Sequence, residues 1–328
     1  MSPMKIMGTD LFSGTYVEAI GRALHDAMAE DDRVCCLGED IGAYGGAFRA
    51  TAGLLDRFGA DRVIDTPIAE QAIAGAAIGA ALMGQRAVAE FQFMDFALLA
   101  ADLVVNFAGK AHWRWGASVP VVFRGPAGAG NGGGPFHSQN PEGHFLGSPG
   151  LKVVVPGTVR DAYALLRAAI ADPDPVLFLE HKRLYRRLKD QWDEAPTARL
   201  GEAALRRDGG AACILTYGAV QHTALEATAG LDVAVLDLRT LWPLDDEAIA
   251  ALARRTHRVL VLTEASPAYG PSAELAARIS ETCFPWLDAP VLRLGAADTP
   301  TPASPPLEAA FLPGPARIKA EVERLLAW

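Results

Sequence analysis

The hydrophobic positions of the chain switch repeatedly between short continuous apolar runs and longer runs at helical spacing. In the first half, the strand-like runs are RVCCLGED, RVID, AVAEFQF, VPVVFRG, GLKVVVP and PVLFLEH. Helical spacing is found in GTYVEAIGRALHDAMAE, TPIAEQAIAGAAIGAALMG, ALLAADLVVNFAGKAHW and RDAYALLRAAIAD. Strands that alternate with helices predict an α/β fold with a mainly parallel sheet covered on both faces.

The alternation is interrupted by a charged and weakly periodic stretch in the middle of the chain. It resumes with the strand-like runs ACILTYG, DVAVLDLRTLWP, RVLVLTEA and PVLRLGA, again separated by helical segments. We therefore predict a first domain over 1–187, a linker over 188–206 and a smaller α/β domain over 207–328. In the second domain, TPTPASPP (299–306) predicts a rigid Pro-rich connection.

Composition and charge exclude several classes of protein. With 328 residues, half of them hydrophobic, the chain is long enough for two packed cores. A net charge of −9 disfavours nucleic-acid and anionic-membrane partners, which attract clustered Lys and Arg. The N-terminus lacks a signal-peptide pattern and no apolar run reaches about 20 residues, so we expect a cytoplasmic protein. The four cysteines are too few and too scattered for a disulfide framework or a zinc site, and we expect core thiols.

Two carboxylates follow predicted strands. Glu39 lies at the end of RVCCLGED, and Glu70 opens an otherwise apolar run shortly after RVID. Parallel sheets place their ligands at the carboxyl ends of strands. A carboxylate in apolar surroundings needs a counter-charge, a hydrogen bond or a raised pKa, because losing hydration is costly. From the residues alone, the alternative stays open that one acid caps a helix and the other is solvated.

A glycine-rich loop, GPAGAGNGGGPFHSQNPEGHF, follows the run VPVVFRG. Gly128, Gly130 and Gly133 match the G-x-G-x-x-G pattern of dinucleotide sites, but Pro135 interrupts the helix that such a site requires. The acid expected about 20 residues further on is also missing. We interpret the segment as a flexible loop whose backbone can approach a ligand and which brings His137 to a site as an acid or base. A merely solvated histidine is the alternative.

Eight separated segments form a pattern that one family shares. In chain order they are VIDTPIAEQAIAGAAIGAALMG, AEFQFMDF, VVFRGPAG, FHSQNPEGHF, GLKVVVP, PVLFLEHKRLYR, VLDLRTLWPLD and APVLRLGAADTPTP. Together they resemble the β subunit of the thiamine-diphosphate-dependent 2-oxoacid dehydrogenase decarboxylase component. The resemblance implies a transketolase-like pyrimidine-binding domain followed by a C-terminal domain. It also implies an α2β2 heterotetramer in which the α subunit holds the diphosphate and magnesium while the β subunit holds the aminopyrimidine.

The resemblance implies roles for four side chains. Glu70 matches the glutamate that hydrogen-bonds the pyrimidine N1′ and favours its imino tautomer, and Glu39 matches a second acid near the ring. Phe96 matches an aromatic residue that stacks on the pyrimidine, with a plain core phenylalanine as the alternative. His137 matches the histidine that binds reaction intermediates and assists transfer to lipoamide. An apolar setting suits Glu70, because desolvation raises a carboxyl pKa and strengthens proton sharing.

Two further expectations rest on the same resemblance. The C-terminal surface is where the lipoyl-bearing acyltransferase core docks in this family. There this chain departs from its relatives, with Tyr269–Ser272 in place of a glycine-rich turn and Ala303 in place of an aromatic residue. Four main-chain carbonyls fall where related enzymes hold a potassium ion, those of Val121, Ala169, Asp172 and Asp174.

The implied activity is oxidative decarboxylation of a 2-oxoacid with transfer of the acyl group to a lipoyl domain. AEFQFMDF and HSQNPE favour branched-chain substrates such as 3-methyl-2-oxobutanoate, with pyruvate or acetoin dehydrogenase as alternatives. Two different classes of protein also remain open, a single-chain transketolase-like enzyme and a non-catalytic assembly scaffold. The presence of both Glu70 and His137 disfavours the scaffold. The sequence contains no Gly-Asp-Gly and no adjacent asparagines, which hold the metal-bridged diphosphate in thiamine enzymes, so we expect activity only with an α subunit.

Overall fold

The computed structural model describes residues 11–328, so residues 1–10, on which the signal-peptide expectation partly rests, lie outside it. Two large sheets and a two-stranded ribbon form the framework. The strands are β1 (Phe12–Thr15), β2 (Val34–Glu39), β3 (Val63–Thr66), β4 (Arg86–Glu90), β5 (Val121–Ala127), β6 (Lys152–Val154), β7 (Val176–His181), β8 (Lys189–Trp192), β9 (Ala204–Arg207), β10 (Ala212–Thr216), β11 (Val233–Asp237), β12 (Thr240–Trp242), β13 (Val259–Leu262) and β14 (Leu292–Leu294).

Helices alternate with these strands, as the hydrophobic pattern predicts. They are α1 (Tyr16–Glu30), α2 (Leu54–Phe58), α3 (Glu70–Leu82), α4 (Gly109–Trp115), α5 (Glu142–Phe145), α6 (Val159–Ala171), α7 (Val220–Ala227), α8 (Asp246–Thr256), α9 (Pro271–Cys283), α10 (Pro305–Phe311) and α11 (Pro315–Leu326). The run ALLAADLVVNFAGKAHW is helical but not one regular α-helix. It continues a 3₁₀ segment (Met94–Ala100) into a π segment (Asp102–Ala108) and then α4. Apolar periodicity indicates a helix without fixing which of these hydrogen-bond patterns it adopts.

The first sheet has seven strands in the order β12-β6-β7-β5-β4-β2-β3. Every neighbouring pair is parallel except β12 with β6. Both faces are covered, because alternate residues of β2 belong to different cores: Cys35 and Leu37 pack with α3, and Val34 and Cys36 pack with α1 and α6. This confirms the predicted α/β fold and explains why these strands are apolar without alternation.

Local sequence fixes where the helices of this half begin. A capping box starts α1: the amide of Thr15 donates to the Glu18 carboxylate at 2.7 Å, and the Glu18 amide donates back to the Thr15 hydroxyl at 3.4 Å. In contrast, α3 has no polar face. It buries its Ile73 side and leaves Ala72 and Leu82 exposed. The exposed side of α3 therefore has the composition of a surface that packs against another element.

The second sheet has five strands in the order β14-β13-β10-β11-β9. The two halves are tied together, because β12 from the second half adds to the edge of the first sheet. The predicted linker, 188–206, contains β8, which pairs with β1, and the start of β9, which joins the second sheet. The boundaries at 187 and 207 stay a proposal.

Two structural findings bear on the classes of protein considered above. None of the helices within residues 11–328 is long and apolar enough to cross a membrane. All four cysteines are buried free thiols, which confirms the prediction of core thiols.

Candidate active site

Three acidic side chains lie at one edge of the first sheet, at the carboxyl ends of its strands. Glu39 is the last residue of β2 and lies opposite Thr66, the last residue of β3. Glu70 is the first residue of α3, and Glu90 is the last residue of β4. All three carboxylates are buried. The structure thus places both sequence-predicted acids, and a third that the sequence reasoning missed, at the edge where such sheets bind ligands.

Glu39 has the properties of a proton-exchanging group. Burial raises the pKa of its carboxyl, and the negative charges of Glu70, Asp40 and Glu90 raise it further. Its Oε1 is buried and has no hydrogen-bond partner in the described part of the chain, and the same is true of the Thr66 hydroxyl. Buried polar atoms are normally partnered, so these two atoms are available to a ligand at this edge.

His137 packs against the aromatic residues that follow β4. Its ring lies at right angles to Phe93, with the centroids 4.6 Å apart, and to Phe96, with the centroids 5.5 Å apart. The 3₁₀ segment that carries Phe96 packs on α3, the helix that begins with Glu70. His137 itself is exposed, and both phenylalanines are partly exposed. The structure therefore brings Phe96 and His137 together beside the helix that begins with Glu70. It adds Phe93, which sequence reasoning missed although it lies in AEFQFMDF.

Two buried charged side chains, Asp95 and Lys182, bind the backbone of the loop that carries His137. The Asp95 carboxylate accepts a hydrogen bond from the Gln139 amide at 2.9 Å, and burial raises the pKa of Asp95. Lys182 donates to the carbonyl of Gly128 in the glycine-rich loop, and burial lowers the pKa of its ammonium to about 8. These contacts fasten both ends of the loop that carries His137.

A buried arginine joins three strands beneath the acidic edge. Arg124 in β5 contacts Glu90 on β4 and Glu180 on β7, and its Nη2 lies 2.7 Å from the Glu180 carboxylate. The Tyr185 hydroxyl donates to the same carboxylate at 2.6 Å. Sequence reasoning missed this network, although charged residues inside the apolar runs VPVVFRG and PVLFLEH were its signal.

Arg124→Leu is expected to destabilise the chain by about 3–5 kcal/mol, because it leaves two carboxylates buried without their cation. The measurement is the thermal unfolding temperature of the variant. Arg33→Leu is the matched control, since Arg33 pairs with Asp31 at the surface and should cost far less. Equal losses from the two substitutions would contradict the structural role of Arg124.

The residues of the expected potassium site lie around the end of α6. The Asp172 carbonyl accepts a hydrogen bond from Arg86 at 3.2 Å, and its carboxylate lies 2.5 Å from the Lys152 ammonium, which also contacts Asp174 at 3.2 Å. The Ala169 carbonyl accepts the Asp172 amide at 3.3 Å. Val121 begins β5. The Lys152 contacts involve the aspartate side chains and not the carbonyls expected to bind the ion, so the potassium site stays a prediction.

Comparison with known families defines the class of protein. Residues 13–187 match the transketolase pyrimidine-binding domain, and residues 201–318 match the transketolase C-terminal domain. A solved structure described as a split-gene transketolase, inactive beta4 tetramer, has the same fold, with a TM-score of 0.79 and 21% identity over 96% of this chain and 99% of that chain. The chain therefore has a transketolase-like fold, a pyrimidine-binding domain followed by a smaller C-terminal domain.

Individual relatives show which family within this fold the chain resembles. The chain is 44% identical to 2-oxoisovalerate dehydrogenase subunit beta of Bacillus subtilis, over 95% of this chain and 98% of that protein. It is 46% identical to 3-methyl-2-oxobutanoate dehydrogenase subunit beta of Mycobacterium tuberculosis, over 95% and 92%. It is 40% identical to the mitochondrial pyruvate dehydrogenase E1 component subunit beta of Saccharomyces cerevisiae, over 96% and 90%. The chain belongs to the β-subunit family of the thiamine-diphosphate-dependent 2-oxoacid dehydrogenases, which confirms the resemblance.

Proposed function

We propose that this chain is the β subunit of a branched-chain 2-oxoacid dehydrogenase component and supplies the aminopyrimidine half of a shared thiamine diphosphate site. The observation that carries the proposal is the buried acid pair Glu39 and Glu70 at the carboxyl edge of the first sheet. The branched-chain assignment is supported by relatives named for 2-oxoisovalerate and 3-methyl-2-oxobutanoate. A relative named for pyruvate, at 40% identity, makes pyruvate the second candidate substrate.

The residues at this edge fit an aminopyrimidine and not a diphosphate. Glu39 and Glu70 would repel a phosphate, whereas a carboxylate oxygen without a partner can accept an N–H from the ring. Partly exposed Phe93 and Phe96 offer faces on which a planar ring can stack. Within residues 11–328, no cluster of His, Cys, Asp and Glu side chains could hold a metal ion. We therefore assign the diphosphate and its magnesium to the α subunit.

The proposed roles of the side chains come from the family resemblance, and their positions are compatible with these roles. When bound, thiamine diphosphate supplies the electron sink for decarboxylation. Glu70 would share a proton with the pyrimidine N1′ of the bound cofactor, and its buried position would keep water from competing for that proton. Glu39, whose pKa is raised by burial and by neighbouring charges, returns protons to this position. Phe96 positions the ring, and the exposed His137 acts where the acyl group leaves toward the lipoyl domain.

His137→Ala is expected to slow acyl transfer to lipoyl domain by about 10²-fold or more while leaving decarboxylation much less affected. The reason is location: His137 lies on the exposed loop in front of the aromatic residues, whereas Glu70 lies buried at the start of α3. Rates with an artificial electron acceptor and with lipoyl domain, measured on the same reconstituted enzyme, separate the two steps. The exposed His144 supplies the control substitution. Equal losses in both assays would contradict this division of roles.

Turnover of 3-methyl-2-oxobutanoate is expected to exceed that of pyruvate in kcat/KM. A few methylenes in an apolar pocket discriminate by only about 1–3 kcal/mol, so some activity on pyruvate is also expected. The measurement is kcat/KM for a panel of 2-oxoacids of increasing chain length and branching. A clear preference for pyruvate would assign the chain to the pyruvate branch of the family.

The partners follow from the same assignment. We propose an α2β2 heterotetramer that docks on a lipoyl-bearing acyltransferase core. The two departures expected on the docking surface lie in different surroundings. Tyr269 is fully exposed, as a docking surface requires, and its backbone is left-handed (φ 55°). Ala303 instead lies against the glycine-rich loop, where its side chain would be 3.3 Å from a Cβ at Gly134. Ala303 is exposed as well, so both departures lie at the surface and both belong to the altered docking surface that we propose.

A further inference from the structure

Several backbone amides of the glycine-rich loop point at buried carboxylates. The loop's even-numbered glycines adopt left-handed conformations with φ between 67° and 94°, and they are Gly128, Gly130, Gly132 and Gly134. Backbone amides that alternate between right- and left-handed residues converge and form a site for an anion. A side chain at Gly128 would clash, because its Cβ would lie 2.2 Å from the His181 ring. At Gly130 the left-handed φ of 94° disfavours any residue with a side chain.

Two carboxylates from the second half of the chain bind amides of this loop. Glu308 on α10 accepts the Gly130 amide at 2.8 Å and the Gly132 amide at 3.1 Å. Glu264, which follows β13, accepts the Ala129 amide at 2.7 Å. Both carboxylates are buried. The similarity to a dinucleotide loop thus has a structural explanation: the amides that would bind a phosphate bind the chain's own carboxylates.

Glu264 has further partners that keep it ionised. The His181 ring lies 2.9 Å from both of its oxygens, and the Asn140 side-chain amide lies 3.3 Å from one of them. Burial opposes ionisation of Glu264, but His181 and these hydrogen bonds lower its pKa to about 2. Hydrogen bonds to an ionised carboxylate are charge-assisted and strong. The loop is therefore held from the second half of the chain by a carboxylate that stays charged at neutral pH.

Residues 129–132, whose amides bind the two carboxylates, lie a few positions before His137 in the loop. The loop is closed on itself, since the Gly128 amide donates to the Gln139 carbonyl at 2.9 Å. Gln139 is in turn fixed to Asp95 on the first half. The segment held by the two carboxylates lies between Gly128 and Gln139 and continues to His137. The His137 ring packs on Phe93, with the ring centroids 4.6 Å apart.

We propose that Glu308 and Glu264 are positioning residues for acyl transfer: by binding the amides of Ala129, Gly130 and Gly132 they hold the loop so that His137 faces the site. The proposal rests on the role of His137 given under Proposed function. The second domain then contributes to acyl transfer, because the two carboxylates that hold the glycine-rich loop lie on α10 and just after β13.

The activity test uses the reconstituted α2β2 enzyme with Glu308→Ala and Glu308→Gln. Loss of a charged hydrogen-bonding partner is expected to slow transfer to lipoyl domain by about tenfold to a hundredfold, with little change in decarboxylation. Glu308→Gln should lie between the parent and the alanine variant, because an amide oxygen still accepts the two backbone amides. The matched control is Glu281→Ala, which removes an exposed carboxylate on α9. The proposal would be overturned if the alanine and glutamine variants had the same activity and if both slowed decarboxylation as much as acyl transfer.

Rescue by formate distinguishes anion binding by the loop from a purely structural role of Glu308. In Glu308→Ala the amides of Gly130 and Gly132 are left without an anion, and a small carboxylate can take its place. Added formate should therefore restore transfer in this variant and leave the parent and Glu308→Gln unchanged. Absence of rescue, with the variant folded, would contradict an anion-binding loop.

Hydrogen exchange tests the positioning without using activity. The amides of residues 129–133 should exchange faster in Glu308→Ala and slow again with formate, while those of α6 stay unchanged. Unchanged exchange in the loop would overturn the proposal, and so would faster exchange without any loss of transfer. If His137→Ala does not slow transfer, the role of His137 fails, whereas the exchange result still reports whether the carboxylates hold the loop.

Discussion

Glu70→Gln is expected to keep the chain folded and to lower thiamine-dependent decarboxylation by about 10²-fold or more. An amide has the shape of the acid but cannot share a proton with the pyrimidine N1′. The substitution also removes a buried negative charge at the start of α3, so its effect on stability should be small. The loss should fall on the chemical step and not on folding or assembly.

The measurement is the single-turnover rate of decarboxylation by the reconstituted enzyme at saturating cofactor. The matched control is Glu247→Gln, which changes an exposed acid in the first turn of α8. Thermal unfolding of both variants shows whether either affects stability. A Glu70→Gln enzyme that turns over at the parent rate would show that Glu70 does not exchange the proton.

The second large effect is the dependence on another chain: alone, this polypeptide is expected to have no decarboxylase activity. A magnesium-bridged diphosphate needs hard oxygen ligands in octahedral geometry. The sequence has no Gly-Asp-Gly, and its three asparagines, Asn106, Asn131 and Asn140, are all separated. We therefore expect the ligands to come from a partner. The same absence argues against a single-chain transketolase, which would carry the motif itself.

The surface of the chain is consistent with an extensive partner interface. Large apolar side chains are exposed around α3 and the helical segment that packs against it. Ile68 is 80% exposed, Met83 84% and Trp113 94%. Several exposed apolar side chains in one region are typical of a surface that binds another protein. A cofactor site shared between chains is expected to bury more than about 2,000 Å² in an obligate assembly. Exposure of this kind in the isolated chain predicts self-association when the partner is missing.

Local sequence predicts much of the candidate site because its acids lie at strand ends. A short apolar run ending in an acid was enough to place Glu39 at the end of β2, and the apolar helix that follows RVID was enough to place Glu70 at its start. Both predictions depend on residues that are close in sequence. The chemical roles of these acids came from family resemblance and not from periodicity, so they stay proposals until the variants are measured.

Features that depend on distant segments were not predicted. Arg124 reaches partners on β4 and β7, which requires the strand order of the sheet, and periodicity does not determine that order. The contacts of Glu264 and Glu308 with the glycine-rich loop join residues more than 100 positions apart. The pattern G-x-G-x-x-G indicates where backbone amides can approach an anion, but not which anion they bind.

The central claim is that this chain holds half of a thiamine diphosphate site. The most direct measurement is to purify the chain alone, titrate it with thiamine diphosphate and magnesium while following cofactor binding and 2-oxoacid decarboxylation, and then add an α subunit that carries Gly-Asp-Gly. We expect weak cofactor binding and no turnover by the chain alone, and both tight binding and turnover once the partner is present. Tight binding and decarboxylation by the isolated chain would contradict the account.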